Sequence, residues 1–336
     1  MIENTEKLAK EILWQSLLIP SFTGSESKLA NYYADLFKSN GFDVNIVKHT
    51  KNRWSVIAKY GNPKCAFCTH LDTAIEWEPP NKDEEGFYGI GACDAKGSLA
   101  CQASIAILLS KLNKSVAVAF LAGEESDSIG ARYLAENNIL NVEFIIHGEP
   151  TEGIFIDRTA SVLELKLKTK GEKGHSSCKN NEISAIHKLL KELDKIEKIC
   201  NSNNFIFHIG NINGGGTLPS SFPEMSEALL QLRGYKKSKD ILKEIKNVVS
   251  SNTIIDIIYM NDYCNFITLP QQKNKSVLFG SDAGILQNKY KQMLVGPGDI
   301  KRGHKKDEFI TNTEINMGLQ CFYDAYIFLN DRSKNE

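Results

Sequence analysis

The 336-residue chain reads as an α/β protein that carries a smaller α+β insertion. Two observations predict this. First, short apolar runs alternate with helical stretches in the first 150 residues, and this texture returns from about Val277. Such alternation predicts a sheet with substantial parallel content and helices on both faces. Second, the intervening residues change to strict apolar–polar alternation, and their elements follow the order β-α-β-β-α-β of a ferredoxin-like module. The length suits two domains rather than one core. The expected division gives residues 1–155 and 268–336 to a discontinuous main domain and 156–267 to the insertion.

The opening segment has helical periodicity to about Leu18, and Pro20 stops it. Thr23 and Glu26 are spaced as a capping box for a second helix ending at Gly41. Short strands are expected at Asp43–Lys48, Arg53–Tyr60 and Ala66–Thr69, then an Ala-rich helix at Ser98–Leu112. Val116–Leu121 is wholly apolar, the mark of a strand buried on both faces. A helix near Ser128–Asn137 and a strand at Phe144–His147 follow. In Ser161–Lys170, leucines alternate with Glu164, Lys166 and Lys168, as in a half-exposed antiparallel strand. A helix at Glu182–Ile199, strands at Phe205–Ile212 and Met225–Arg233, a helix at Lys239–Val249 and a strand at Ile254–Tyr259 complete the insertion. The final helix, Thr311–Phe328, opens with a second capping-box spacing, Thr311 and Glu314.

Composition excludes several function classes. Hydrophobic residues make up 42% and charged residues 24%, ordinary for a soluble globular protein. A formal net charge of −1 gives no electrostatic reason to expect nucleic acid or an anionic membrane as partner. No apolar run approaches a membrane span, and the first ten residues lack the apolar core of an export signal. The eight cysteines are scattered, mostly in apolar segments, which predicts reduced thiols and a cytoplasmic setting. Cys65 and Cys68 form a lone C-x-x-C whose side chains are expected to be buried and structural.

Chemistry concentrates at strand ends. His70 and Asp72 close one strand; Asp94 lies among glycines before a helix; Glu124 and Glu125 follow a buried strand; Glu149 follows another; His304 follows a glycine-rich segment. Strand ends are where α/β folds place ligands. Each position alone has a plain alternative: a turn for His70, a helix N-cap for Asp94, a solvated loop for Glu124 and Glu125. Together they supply two histidines and enough carboxylates to hold two divalent metals with one carboxylate bridging. Adjacent Glu124 and Glu125 repel, so a metal on one and a proton on the other is a natural division. An aspartate two residues after His70 is placed to fix the imidazole.

The stretches THLDT, YGIGACDAKGSLA, LAGEESDSIGARYL, IIHGEPTEG, KGEKGHSS, GSDAG and VGPGDIKRGHKKDEFI cover almost the whole chain in order. In these the chain resembles the dinuclear zinc aminoacylase and deacetylase family, metallopeptidase family twenty, which includes acetylornithine deacetylase and succinyl-diaminopimelate desuccinylase. The resemblance implies a zinc-exopeptidase-like mixed sheet flanked by helices, with the insertion as a lid and dimerisation domain. It implies that His70 and Glu149 hold one zinc, Glu125 and His304 the other, and Asp94 bridges, with cobalt or manganese as possible substitutes. Asp72 would orient His70, and Glu124 would be the general acid/base. His175 would stabilise the oxyanion, in dimeric members from the partner subunit. Arg233, the loop glycines Gly214, Gly215 and Gly216, and Thr217 fall where members place substrate ligands. This loop departs from the usual asparagine-bearing form, and Gly303 stands where members often have alanine.

The function so implied is hydrolysis of the amide of an N-acyl amino acid, foremost an N-acetylornithine or N-acetyl-lysine deacetylase of amino-acid biosynthesis. A dipeptidase, carboxypeptidase or desuccinylase on the same scaffold is the nearest alternative, and a silent metal-binding homologue is a remote one. The partners expected are a small N-acyl amino acid and a second copy of the chain.

Overall fold

The structure, a computed structural model, describes residues 2–177, 183–216 and 218–332. The chain forms two compact units. One comprises Met1–Asp157, Asn265–Ser276 and Ile285–Glu336; the other comprises Arg158–Cys264 and Val277–Gly284.

In chain order the first unit begins with α1 (Ile2–Leu17), α2 (Ser27–Ser39), β1 (Asp43–Lys48), β2 (Trp54–Tyr60) and β3 (Cys65–His70). It continues through α3 (Lys96–Lys111), β4 (Val116–Leu121), α4 (Ile129–Glu136) and β5 (Phe144–His147). The second unit contains β6 (Ser161–Lys170), α5 (Ala185–Ser202), β7 (Ile206–Asn213), β8 (Met225–Gly234), α6 (Ser238–Val248) and β9 (Thr253–Asn261). The chain returns to the first unit with β10 (Lys291–Leu294) and α7 (Asn312–Arg332).

The sheet of the first unit is mixed, in the order β1-β2-β4-β3-β5-β10. Strands β4, β3, β5 and β10 are parallel, and β1 and β2 join as an antiparallel edge. Strand β4 is apolar throughout, and β3, β4 and β5 are buried along their whole length, because both faces are covered. In β4, Val116, Val118 and Phe120 enter the core shared with α1, α2, α3 and α7, whereas Ala117, Ala119 and Leu121 enter the core on the α4 side. Successive side chains of a strand point to opposite faces, so one apolar run serves two cores. Phe120 packs edge-on to Tyr33, ring centroids 4.8 Å apart. Helix α3 is buried along nearly its whole length. Its Lys96 is fully buried and donates to the carbonyls of Ser16 (3.0 Å) and Ile19 (2.9 Å) at the end of α1. Burial pushes the Lys96 pKa down to about 7.

Of the two expected capping boxes, only the second forms. Glu314 accepts from the Thr311 main-chain N–H, and Thr311 Oγ1 accepts from the Glu314 N–H. At α2 no side chain caps the helix. Thr23 Oγ1 instead donates to Asp72 Oδ2 at 2.8 Å, and Glu26 accepts from Gly24 N–H. The helix begins at Ser27 with Glu26 at the N-cap position, so Thr23 lies three residues short of the helix end. Asp94 is not an N-cap either, since Ala95 occupies that position before α3.

The second unit is a four-stranded antiparallel sheet in the order β7-β8-β6-β9. Leu163, Leu165 and Leu167 of β6 and Ala228, Leu230 and Leu232 of β8 pack against α5 and α6. The alternate residues carry cross-strand ion pairs, Lys166 to Glu227 and Lys168 to Asp256, both at 2.7 Å. Among the described residues, no helix is long and apolar enough to cross a membrane.

Candidate metal centre

Three parallel strands end at one edge of the first unit's sheet, and each delivers a polar side chain there. His70 is the last residue of β3; Glu124 and Glu125 follow β4; Glu149 lies two residues after β5. The loop after β10 brings His304, and the loop before α3 brings Asp94. Ligand atoms of His70, Asp94 and Glu125 lie within 4.8 Å of one another.

Asp94 is the centre of the cluster. Its Oδ1 lies 3.1 Å from His70 Nε2, and its Oδ2 lies 3.6 Å from His304 Nε2. Glu149 Oε2 is 3.9 Å from His70 Nε2, and Glu125 Oε1 is 3.0 Å from His304 Nε2. The five residues expected as ligands are thus brought together, one histidine and one glutamate on each side of Asp94. His70, Asp94 and Glu149 are buried, while His304 is 55% exposed.

The donor chemistry fits cations. His70 Nδ1 faces the Asp72 main-chain carbonyl at 2.9 Å, which can only accept, so Nδ1 carries a proton. In neutral His70 the Nε2 lone pair then faces the Asp94 carboxylate. Two acceptors at that distance need a cation between them, a proton or a metal. Without metal the proton prevails. Burial alone would lower the His70 pKa, but the Asp72 and Asp94 carboxylates outweigh it and raise it well above the ordinary histidine value. The Glu125 carboxylate raises His304 to about 8, and burial raises Glu125 despite His304 beside it. Such perturbed, clustered groups mark a functional site.

Asp72 was expected behind His70. Its main-chain carbonyl takes the imidazole proton, and its nearer carboxylate oxygen is 3.7 Å away. That carboxylate has another occupation. Oδ1 accepts from the N–H groups of Gly123 (3.0 Å) and Glu124 (3.1 Å), and Oδ2 from Glu125 (3.2 Å). Burial would raise its pKa, but His70, Thr23 and the main-chain donors hold it below the usual carboxylate range. The turn carrying Glu124 and Glu125 is therefore wrapped around a buried anion. Arg53 braces it from behind through two bonds to Asp127, at 2.8 and 2.7 Å. Gly123 adopts φ +83°, the left-handed region that favours glycine, and its missing Cβ leaves room for the Arg53 guanidinium.

Two residues given no part in the site from sequence act here. Thr23 holds Asp72. Glu308, 2% exposed, accepts main-chain N–H groups from Gly91, Cys93 and Asp94. Burial raises its pKa to about 7 against the pull of those amides. Its position four residues after His304 in the GHKKDE stretch was the only signal.

The remaining expected residues lie in the second unit. His175 is exposed on a short ribbon pairing Gly174–His175 with Ser221–Phe222, and its Nδ1 contacts Ser177 Oγ at 2.9 Å. Arg233, near the end of β8, donates to Gln231 Oε1 (3.0 Å) and to the Leu278 carbonyl (3.1 Å). Gly214, Gly215 and Gly216 follow β7, and Gly215 adopts φ +63° with its N–H on Asn213 Oδ1. Thr217 lies outside the described residues.

Known proteins similar to this chain are hydrolases by name. The chain is 28% identical over 344 residues to a [LysW]-lysine/[LysW]-ornithine hydrolase from Sulfurisphaera tokodaii, covering 96% of each chain. It is 26% identical over 326 residues to an acetylornithine deacetylase from Buchnera aphidicola, covering 84% of each. Its structure matches that of a tripeptidase from Staphylococcus aureus with a TM-score of 0.80 at 19% identity, over 94% of this chain and 96% of the other. The mixed α/β architecture is therefore that of these enzymes. The family model described as peptidase family M20/M25/M40 matches residues 66–327, most of the chain and every proposed ligand, and the chain belongs to that family.

Proposed function

We propose that this M20-family hydrolase is a two-metal deacylase that releases a free amino acid from its N-acyl form, with N-acetylornithine and N-acetyl-lysine as the favoured substrates. One observation carries the reading: the two oxygens of Asp94 face two different histidines, each paired with its own glutamate. A single cation would not need that doubled set. His70 and Glu149 would hold one metal, Glu125 and His304 the other, with Asp94 shared and zinc the metal best suited to nitrogen and carboxylate donors. When bound, such metals supply Lewis acidity to an amide carbonyl and lower the pKa of a water.

The chain's own residues do the rest. Glu124, half-buried on the turn fixed by Asp72, carries the water proton to the leaving amine nitrogen. His70 is held in one tautomer by the Asp72 carbonyl, so its Nε2 is always the inward-facing atom. The names of the relatives support the substrate class, since both of those similar in sequence act on ornithine-type amino acids.

The test joins metal content to initial rate. Glu124→Gln should keep both metals and lose ~10²–10⁴-fold in turnover, the range of a lost general acid/base. Glu125→Gln should lose one metal, and Asp94→Asn should disturb both. Normal turnover in all three would end the proposal. Across a substrate panel, faster cleavage of dipeptides than of N-acetylornithine would assign the chain to the peptidase branch instead.

A further inference from the structure

The site contains a second buried carboxylate that, like Asp72, accepts from main-chain N–H groups. Glu308 is neither near enough to either histidine to be a ligand nor salt-bridged to a cation by any contact seen here. Its Oε1 accepts from the N–H groups of Cys93 (2.8 Å) and Asp94 (2.7 Å), and its Oε2 from Gly91 (3.0 Å). Its own carbonyl accepts from Gly89 N–H at 2.8 Å. Four bonds therefore tie one residue of the His304 loop to the whole turn that presents Asp94. Next along, Phe309–Thr311 pairs with Gly86–Tyr88, extending the same seam.

The other end of that loop is under strain. His304 has φ +60°, a left-handed conformation that persists in a non-glycine residue only where its surroundings enforce it. Its neighbour Gly303 passes close to Asp94: a Cβ there would stand 3.0 Å from Asp94 Oδ2. His304 is also the most exposed of the five ligand residues, so packing contributes little to holding it. What fixes it relative to Asp94 and Glu125 must come through the loop.

We propose that Glu308 is a positioning residue for the second metal: the loops bearing Asp94 and His304 fold around its carboxylate, which sets the spacing between Asp94 Oδ2 and the His304 imidazole. The inference rests on the two-metal reading above. It predicts selectivity. The position formed by His304 and Glu125 depends on Glu308, whereas the position formed by His70 and Glu149 sits on strand ends β3 and β5 and does not. The two acid-bearing turns would then share one device, an internal anion that is not a ligand, Asp72 for the Glu124–Glu125 turn and Glu308 for the Asp94 turn.

The test uses metal-stripped full-length chain and cobalt(II) as the probe, followed by visible absorption. Amide hydrogen exchange on the metal-free protein runs beside it. In Glu308→Gln one acceptor oxygen becomes an NH2 group that faces a main-chain donor. The expected result is a second cobalt weakened ~10–100-fold, the range for a lost outer-sphere partner, with the first cobalt band unchanged. Exchange should quicken at Gly91, Cys93 and Asp94. Glu308→Asp keeps the charge and should recover part of the second-site affinity. If Glu308→Gln does not fold, Glu308→Asp carries the same comparison, and only selective weakening of the second cobalt supports the proposal. Equal weakening of both ions, or wild-type affinity for both, overturns it. A wild-type chain that takes up fewer than two cobalt ions refutes the two-metal reading, and this inference with it.

Discussion

Replacing Asp72 by asparagine keeps the shape of the side chain and removes only its charge and one acceptor. The consequence can be worked from four contacts. Asp72 Oδ1 accepts from Gly123 and Glu124, and Oδ2 accepts from Glu125 and Thr23. If the asparagine oxygen takes the Oδ1 place, its NH2 group faces the Glu125 N–H, donor against donor. Thr23 can rotate its hydroxyl to accept, but a main-chain amide cannot. A buried donor left without an acceptor costs ~1–3 kcal/mol. The two bonds that remain lose ionic assistance, roughly half of each, or about 1 kcal/mol apiece. The expected destabilisation of the metal-free protein is therefore ~3–5 kcal/mol. Urea unfolding followed by tryptophan fluorescence measures it where it matters, because Trp14, Trp54 and Trp77 all lie in the first unit. A change below about 1 kcal/mol would refute the idea that the turn is built around this anion.

Two further outcomes test the same physics elsewhere. His304 has its pKa raised from 6.5 to about 8, so in metal-free protein its stabilising contact with Glu125 is fully present below pH 6.5 and lost as pH rises through about 8. The stability difference between wild type and His304→Asn should therefore shrink between those values, and a difference that grows with pH would contradict the pairing. Phe120 is fully buried between Tyr33 and Phe37, and Phe120→Ala should cost ~3–5 kcal/mol in the same fluorescence-monitored unfolding. A cost under ~1 kcal/mol would mean the site's sheet is not packed as described.

The legible parts of this chain were those with a period or an unusual run. Val116–Leu121 announced a doubly covered strand, Phe144–His147 an apolar strand, and Ser161–Lys170 a half-exposed one; the structure has all three with those bounds. The ligand residues were legible for a related reason. Charged groups directly after buried strands have nowhere to go but the sheet edge, and the structure brings His70, Asp94, Glu125, Glu149 and His304 together there. The supports of the site were not legible. Asp72 was legible as the partner of His70, but its hold on the Glu124–Glu125 turn, like that of Glu308 on the Asp94 turn, acts on main-chain N–H groups, which every residue but proline has, so no side-chain pattern points to it. Thr23 shows the converse error. Its spacing from Glu26 fits a capping box, yet the helix starts three residues later with Glu26 at the N-cap, and the Thr23 hydroxyl donates to a buried carboxylate 49 residues away.

The lysine at the start of α3 gives the N-terminal helix a role its sequence does not advertise. Lys96 is two residues from Asp94, and its ammonium ends on two carbonyls, those of Ser16 and Ile19. Those carbonyls are its nearest electronegative neighbours, so α1 serves as a counter-pole for a cation sealed beneath the site. A chain begun downstream of Ile19 would lose more than a packed helix: it would leave the buried Lys96 amine without its two acceptors, two residues from Asp94. Trimming the N-terminus is thus an electrostatic operation on the candidate metal centre, although Ile19 stands 75 residues before Asp94 in sequence.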